Sequence, residues 1–190
     1  MYRPAMSNDR ITYLLVDGEN IDGALGSSSI LGRRPEPQER PRWNKILDFA
    51  ADEWRQPVRA LFFINATRSV PTSFVQALQA MDYQPVLLSG RDDESVVDIA
   101  IQRTMAALRS RVGDVLLASH DADFAPGLTE LAVGDRRIGL VVFDECVGQA
   151  LRDVPGVEVF DLEHDSDAFD VRLPRVTVIP IDEFDPALFL

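Results

Sequence analysis

Apolar residues along the chain fall into two alternating kinds of segment. Short runs rich in branched side chains occur at residues 11–16, 58–64, 85–88, 115–118, 137–143 and 157–160. Each is too brief for a helix and reads as a buried strand. The run at 58–64 is nearly continuous in apolar residues, as expected of a strand covered on both faces. Between the runs, apolar residues recur at helical spacing. Residues 43–54 put Ile46, Leu47, Ala50 and Trp54 on one face. Pro71 opens a helix at its first turn, with Phe74, Ala77, Leu78 and Met81 inward. Residues 96–108 carry the stripe Val97, Ile101, Met105 and Leu108, residues 123–133 carry Phe124, Leu128 and Leu131, and a short helix covers 147–152. Crossovers of this length suit parallel pairing, so the pattern predicts an α/β domain over residues 10–160, a three-layer sandwich around a mostly parallel central sheet.

Three stretches fall outside that beat. Residues 1–9 read as a loose tail, within which Met6 is an alternative start. Residues 23–42, rich in Gly, Ser, Pro and Arg, read as a long loop, either a mobile insertion or a substrate clamp. Residues 161–190 read as an extended acidic segment in which 175–181 are able to pair as a strand, in this chain or another. That segment holds eight acids against Arg172 and Arg175, a balance of −6 and half of the net charge of −12.

Composition narrows the chemistry. At 190 residues and 46% hydrophobic content the chain is long enough for one real core. No apolar run reaches the ~20 residues of a membrane span, and the amino terminus has no secretory h-region. One cysteine, Cys146, excludes an internal disulfide and a cysteine zinc cluster, and His120 and His164 alone exclude a histidine-rich site. Any metal here is therefore hard and oxygen-bound, and the expected location is the cytoplasm.

Carboxylates mark the candidate site. Asp17 follows the first buried run in Asp17-Gly18-Glu19-Asn20, at the strand edge where open parallel sheets bind ligands, with Gly18 read as the means of a sharp turn. Asp121 leaves the fourth run in the same way, within Ser119-His120-Asp121-Ala122-Asp123-Phe124. A helix cap, worth ~1 kcal/mol, accounts for one aspartate there; two with a serine exceed that need. Asp98 lies in the first turn of the long helix, beside its buried stripe, where Ser95-Val96-Val97-Asp98 also fits a capping box. If strand one lies beside strand four, these acids meet in one crevice. Without a cation they raise one another's pKa, and Mg²⁺ or Mn²⁺ suits such a cluster. The chemistry that fits is phosphodiester hydrolysis.

The Asp-Gly-Glu-Asn segment, Val97-Asp98 opening a long helix, and Ser119-x-Asp121-x-Asp123-Phe124 together resemble the NYN domain, a branch of the PIN-like nucleases, in particular its LabA-like members. The resemblance covers about residues 11–145 and implies a PIN-like sheet and a Mg²⁺- or Mn²⁺-dependent ribonuclease acting on RNA. It makes Asp17, Asp98, Asp121 and Asp123 the metal-binding, catalytic acids, with Asn20 and Ser119 as polar groups around them. The chain departs from the family pattern where a lysine often precedes the helix aspartate, here Asp92-Asp93-Glu94-Ser95, and where His120 replaces a common glycine. His120 is thus a candidate substrate contact, as is Arg91, with Arg68 or the 33–42 arginines as substitutes for the lysine. The alternative is a non-catalytic NYN-type regulatory or scaffold protein that binds RNA, a protein partner or a second copy through the acidic segment. An acid-pocket phosphatase fits less well, because Glu19 stands where its second aspartate belongs.

Overall fold

The computed structural model describes residues 10–175 and 179–188. The expected tail at 1–9 and the centre of the strand expected at 175–181 lie outside them. Six strands, Thr12–Asp17 (β1), Val58–Asn65 (β2), Gln84–Leu88 (β3), Asp114–Ala118 (β4), Ile138–Val142 (β5) and Val157–Asp161 (β6), form one sheet in the order β3-β2-β1-β4-β5-β6. Every pairing is parallel. The three-layer α/β expectation therefore holds, and β1 lies beside β4. Successive side chains of a strand point to opposite faces, and β1 divides accordingly. Leu14 and Val16 join a core with Gly18–Leu25 (α1), Trp43–Glu53 (α2) and Thr72–Ala80 (α3). Tyr13 and Leu15 join a second core with Val96–Leu108 (α4), Ala125–Leu131 (α5) and Gln149–Arg152 (α6).

The buried faces follow the helical spacing closely. Ile46, Ala50 and Trp54 are buried around α2, as are Val97, Ile101, Met105 and Leu108 on α4. Ala77 is an exception: it is exposed, and Leu78 is the buried residue of α3, with Phe74, Val75 and Met81 half-buried beside it. The helix expected at 123–133 is split into a 3-10 turn, Ala122–Phe124, and α5.

The first helix was not expected. Residues 18–25 continue straight from β1 as α1, whose Ile21 and Leu25, four apart, are fully buried. Gly18 is required here for closeness and not for a sharp turn: a Cβ at this position would come within 2.5 Å of the Phe62 ring. The following loop is packed. Ile30 and Leu31 enter the core, and buried Glu39 takes both guanidinium nitrogens of Arg33, at 2.8 and 2.5 Å, and the Glu36 N–H. Arg40 and Arg42 contact Asp22 and Asp170.

Part of the acidic segment is also packed. Leu162, Ala168, Phe169 and Leu173 are buried in the α1–α3 core. The Arg42 N–H donates to Ala168 O, while Lys45 meets Asp167 and Asp170 at the start of α2. Residues 180–187 are exposed.

At the amino edge of the sheet, buried Asp114 accepts from Arg10 Nε, Gln56 Nε2 and the Arg137 N–H at 2.7–3.0 Å. Removing one partner from such a cluster leaves the others unsatisfied. Asp114→Ala should cost about 3 kcal/mol in urea unfolding. Asp135→Ala, which removes an exposed partner of the same Arg10, should leave the urea midpoint little changed.

Candidate functional site

In a sheet of this order the succession of strands reverses between β1 and β4, and ligands bind at the carboxyl ends of those strands. Val16 pairs with Ala118, so Asp17 and Ser119 leave the sheet side by side. Asp17 caps α1: its Oδ1 accepts the Asn20 N–H at 3.1 Å and its Oδ2 accepts the Ser119 hydroxyl at 3.3 Å. Fully buried Ser119 in turn accepts the Asp121 N–H at 3.3 Å, so one hydroxyl ties the two acid-bearing loops together. Asp121 caps the 3-10 turn, with Oδ1 accepting the Asp123 N–H at 2.9 Å. Each of these acids is therefore both a cap and a cleft residue.

Asp17, Asp98 and Asp121 line a single cleft of about 350 Å³, together with Glu19, Asn20, Asn65 and Glu94. Asp123 is exposed and not among the lining residues. Ser95 begins α4 without a side-chain capping bond, so the anticipated capping box does not form and the Asp98 carboxylate borders the cleft. Asp17 is only 4% exposed. Burial, reinforced by Asp98 and Glu19 and opposed by the Asn20 N–H and Ser119, pushes its pKa up to about 6. Burial raises Asp98 as well, with Asp121 and Asp123 adding to it and a hydrogen bond from the Ser95 side chain opposing it. Among the described residues no three acid, histidine or cysteine side chains converge as a ready-made metal cage.

His120 faces away from this chemistry. Its Nε2 accepts the Phe143 N–H at 2.9 Å, so the proton sits on Nδ1, which donates to Asn20 Oδ1 at 3.1 Å. The His120 backbone N–H reaches the same oxygen at 2.8 Å. Burial holds the ring neutral, its pKa lowered to about 4, and it stacks on Phe143. These bonds fix the orientation of the Asn20 amide, whose nitrogen has no acceptor among the described residues. Arg91 lies outside the acidic cleft, 82% exposed and 3.6 Å from Asp93, in a neighbouring groove with Arg68.

A model of the NYN domain matches residues 11–162. The chain belongs to the NYN-domain family. NYN domains are a branch of the PIN-like nucleases, and the match extends through β6, beyond the stretch that carries the motifs. A crystal structure of a Vibrio parahaemolyticus protein of unknown function is similar, with a TM-score of 0.64 at 18% identity over 82% of this chain and 94% of that one. At that identity the likeness speaks for the fold. No curated protein matches this chain. Among the described residues no helix is long and apolar enough to cross a membrane.

Sequence reasoning passed over Asn65 and Glu94 of this NYN cleft. Asn65 had a usable signal, since it is the first polar residue after the apolar run of β2, as Asp17 is after that of β1. Glu94 precedes α4 among other acids and had none.

The two shifted groups act in opposite directions on stability. The folded pKa of Asp17 is raised from 3.8 to about 6, so its contribution is full below about pH 4 and is lost as pH rises through 6. That of His120 is lowered, so its contribution is full above 6.5 and is lost as pH falls through 4. In divalent-free buffer, Asp17→Asn should stabilise the protein by about 3 kcal/mol at pH 7.5 and by nothing near pH 4. Its stability should therefore fall more steeply than wild type between pH 6.5 and 4, as read by urea unfolding.

Proposed function

We propose that this NYN domain is a divalent-metal-dependent ribonuclease of the cytoplasm that hydrolyses RNA phosphodiester bonds at the Asp17–Asp98–Asp121 cleft. The observation that supports this reading best is the meeting of three acids, distant in sequence, in one cleft at the sheet's switch point. Asp17 carries a desolvation cost there that a hard cation relieves. The donors are all oxygen, as Mg²⁺ or Mn²⁺ requires. An octahedral ion that keeps most of its waters needs only one or two carboxylates, so a three-acid cage is not a condition for binding. Asp17, Asp98 and Asp121 would hold the ion, and Asp123, at the rim, would add to the negative field around Asp98. When bound, the ion supplies an acidified water and neutralises charge on the phosphoryl group.

The chain's own groups do the rest. Two donors hold Asp17 in a single orientation, and Ser119 keeps Asp121 in register with it. Asn20, its oxygen held by His120, offers its NH₂ to a phosphate oxygen. Ser119 and His120 thus serve the substrate through their neighbours. Arg91 and Arg68, only loosely engaged by Asp93 and Asp92 at 3.6 Å, are available to the RNA backbone and would make binding salt-dependent.

A second reading, a non-catalytic NYN-type protein that binds RNA or a protein partner, is favoured by the exposed acids Asp182, Glu183 and Asp185 of the C-terminal segment, which are open to a partner. One experiment separates the two. Asp17→Asn and Asp121→Asn should each lower Mn²⁺-dependent cleavage of RNA by at least about 100-fold, with unchanged circular dichroism. Both should also lose the rise in melting temperature that Mn²⁺ gives the wild type. Undiminished cleavage by either variant overturns the nuclease reading, and RNA binding by a wild type that never cleaves establishes the second.

A further inference from the structure

The acidic cleft continues beyond Asp17. Glu19 and Asn65, which line it, also line an adjoining pocket of about 260 Å³. The walls of that pocket are aromatic: Trp43 from α2, Phe62 from β2 and Phe74 from α3. Trp43 meets Phe62 edge to face with ring centres 4.8 Å apart, and Phe62 meets Phe74 in the same way at 5.4 Å. Gly18 admits the Phe62 ring against the first turn of α1, so the residue after Asp17 also shapes the pocket. Trp43 and Phe62 are buried in this wall and Phe74 is half-buried, so Phe74 carries its open aromatic surface; apolar surface of this kind beside a polar cleft marks a place where a ligand is taken up.

The rim specifies the ligand. Asn65 Oδ1 accepts the Thr67 N–H at 3.0 Å, which leaves the amide nitrogen to donate. Asp22 and Arg40, 3.5 Å apart, set an acceptor beside donors, and Arg40 Nε has no acceptor among the described residues. Glu19 makes no ion pair among them. An apolar wall that offers the Phe74 ring, with donors and acceptors around the edge, matches a nucleobase, which single-strand binders hold against aromatic rings and by bonds to its edges. A third concavity, with Arg68 and Arg91, also borders Glu19 and Asn65, so cation-bearing surface lies within one step of the aromatic pocket.

We infer that the Trp43–Phe62–Phe74 pocket is a nucleobase subsite that takes one unstacked base of the RNA next to the bond presented to the acidic cleft, with Arg68 and Arg91 meeting backbone phosphate. It rests on the nuclease reading only for the fate of the bound RNA. Glu19 and Asp22 accept hydrogen bonds, so adenine, cytosine and guanine, which carry exocyclic amino groups, bind better than uracil.

The test is a titration of the full chain with the four ribonucleoside 5′-monophosphates in divalent-free buffer, followed by NMR. Resonances of Ser69, Phe74 and the Asn65 side-chain amide should shift, and UMP should bind several-fold more weakly than the other three. Phe74→Leu keeps apolar volume but removes the ring, and should raise Kd about tenfold with the melting temperature little changed. Asn65→Asp, which loses the amide donor at an exposed position, should weaken binding independently of any packing effect. No binding at millimolar nucleotide, or unchanged affinity in Phe74→Leu, overturns the subsite, and equal affinity for UMP overturns the assignment of the carboxylates to the base edge. Nucleotide binding by a wild type that never cleaves RNA leaves the pocket standing and removes the nuclease; cleavage without nucleotide binding does the reverse.

Discussion

The molecule depends on a buried carboxylate held at the end of its first strand. Asp17 is almost inaccessible, yet its two oxygens accept only one backbone N–H and one hydroxyl. That is enough to fix its position and too little to offset the loss of water, so its pKa rises. The N-terminus of α1 contributes a partial positive charge, which softens the cost without removing it. Much of the local architecture serves to keep this group in place. Gly18 lets the helix begin against Phe62, Ser119 joins the β1 edge to the β4 edge, and the His120–Asn20 bonds join both to the end of β5.

Polar bonding is divided unequally between the two ends of the sheet. At the amino edge Asp114 is satisfied by three donors, including a guanidinium, and its role is structural. At the carboxyl edge Asp17 and Asp98 are under-compensated, and Asp121 has one oxygen engaged by its own turn. Both edges carry acids at strand termini. What separates a pin from a site is how much donor capacity the fold supplies to each. Half of the net charge of −12 lies in residues 161–190, so the rest of the chain is only mildly acidic, and net charge bears on solubility more than on what one cleft holds.

The position of His120 shows how a bulky ring beside the acids is accommodated. Directly before Asp121, it is turned inward, stacked on Phe143 and held neutral between a backbone donor and the Asn20 oxygen. The ring therefore adds to the rigidity of the cleft wall and leaves the cleft itself open to Asp17, Asp98 and Asp121.

The chain's own pattern determined the strands and most helices, because period-two and period-3.6 burial are written in neighbouring residues. It determined that Asp17 and Asp121 lie at strand ends for the same reason. The helix after Asp17 was hidden because Gly18, Gly23 and Gly26 read as loop, although Ile21 and Leu25 carried the spacing. The packing of Leu162, Phe169 and Leu173 was masked by the acids around them. Only the tertiary structure decided which polar groups converge: that Asp98 joins the cleft while Asp123 stays at its rim, that His120 points inward, and that Asn65 joins an acidic cleft to an aromatic pocket. Those outcomes depend on strand order and on the tilt of helices across the sheet, which bring together residues about 100 apart in the chain, and no local pattern encodes a distance of that kind.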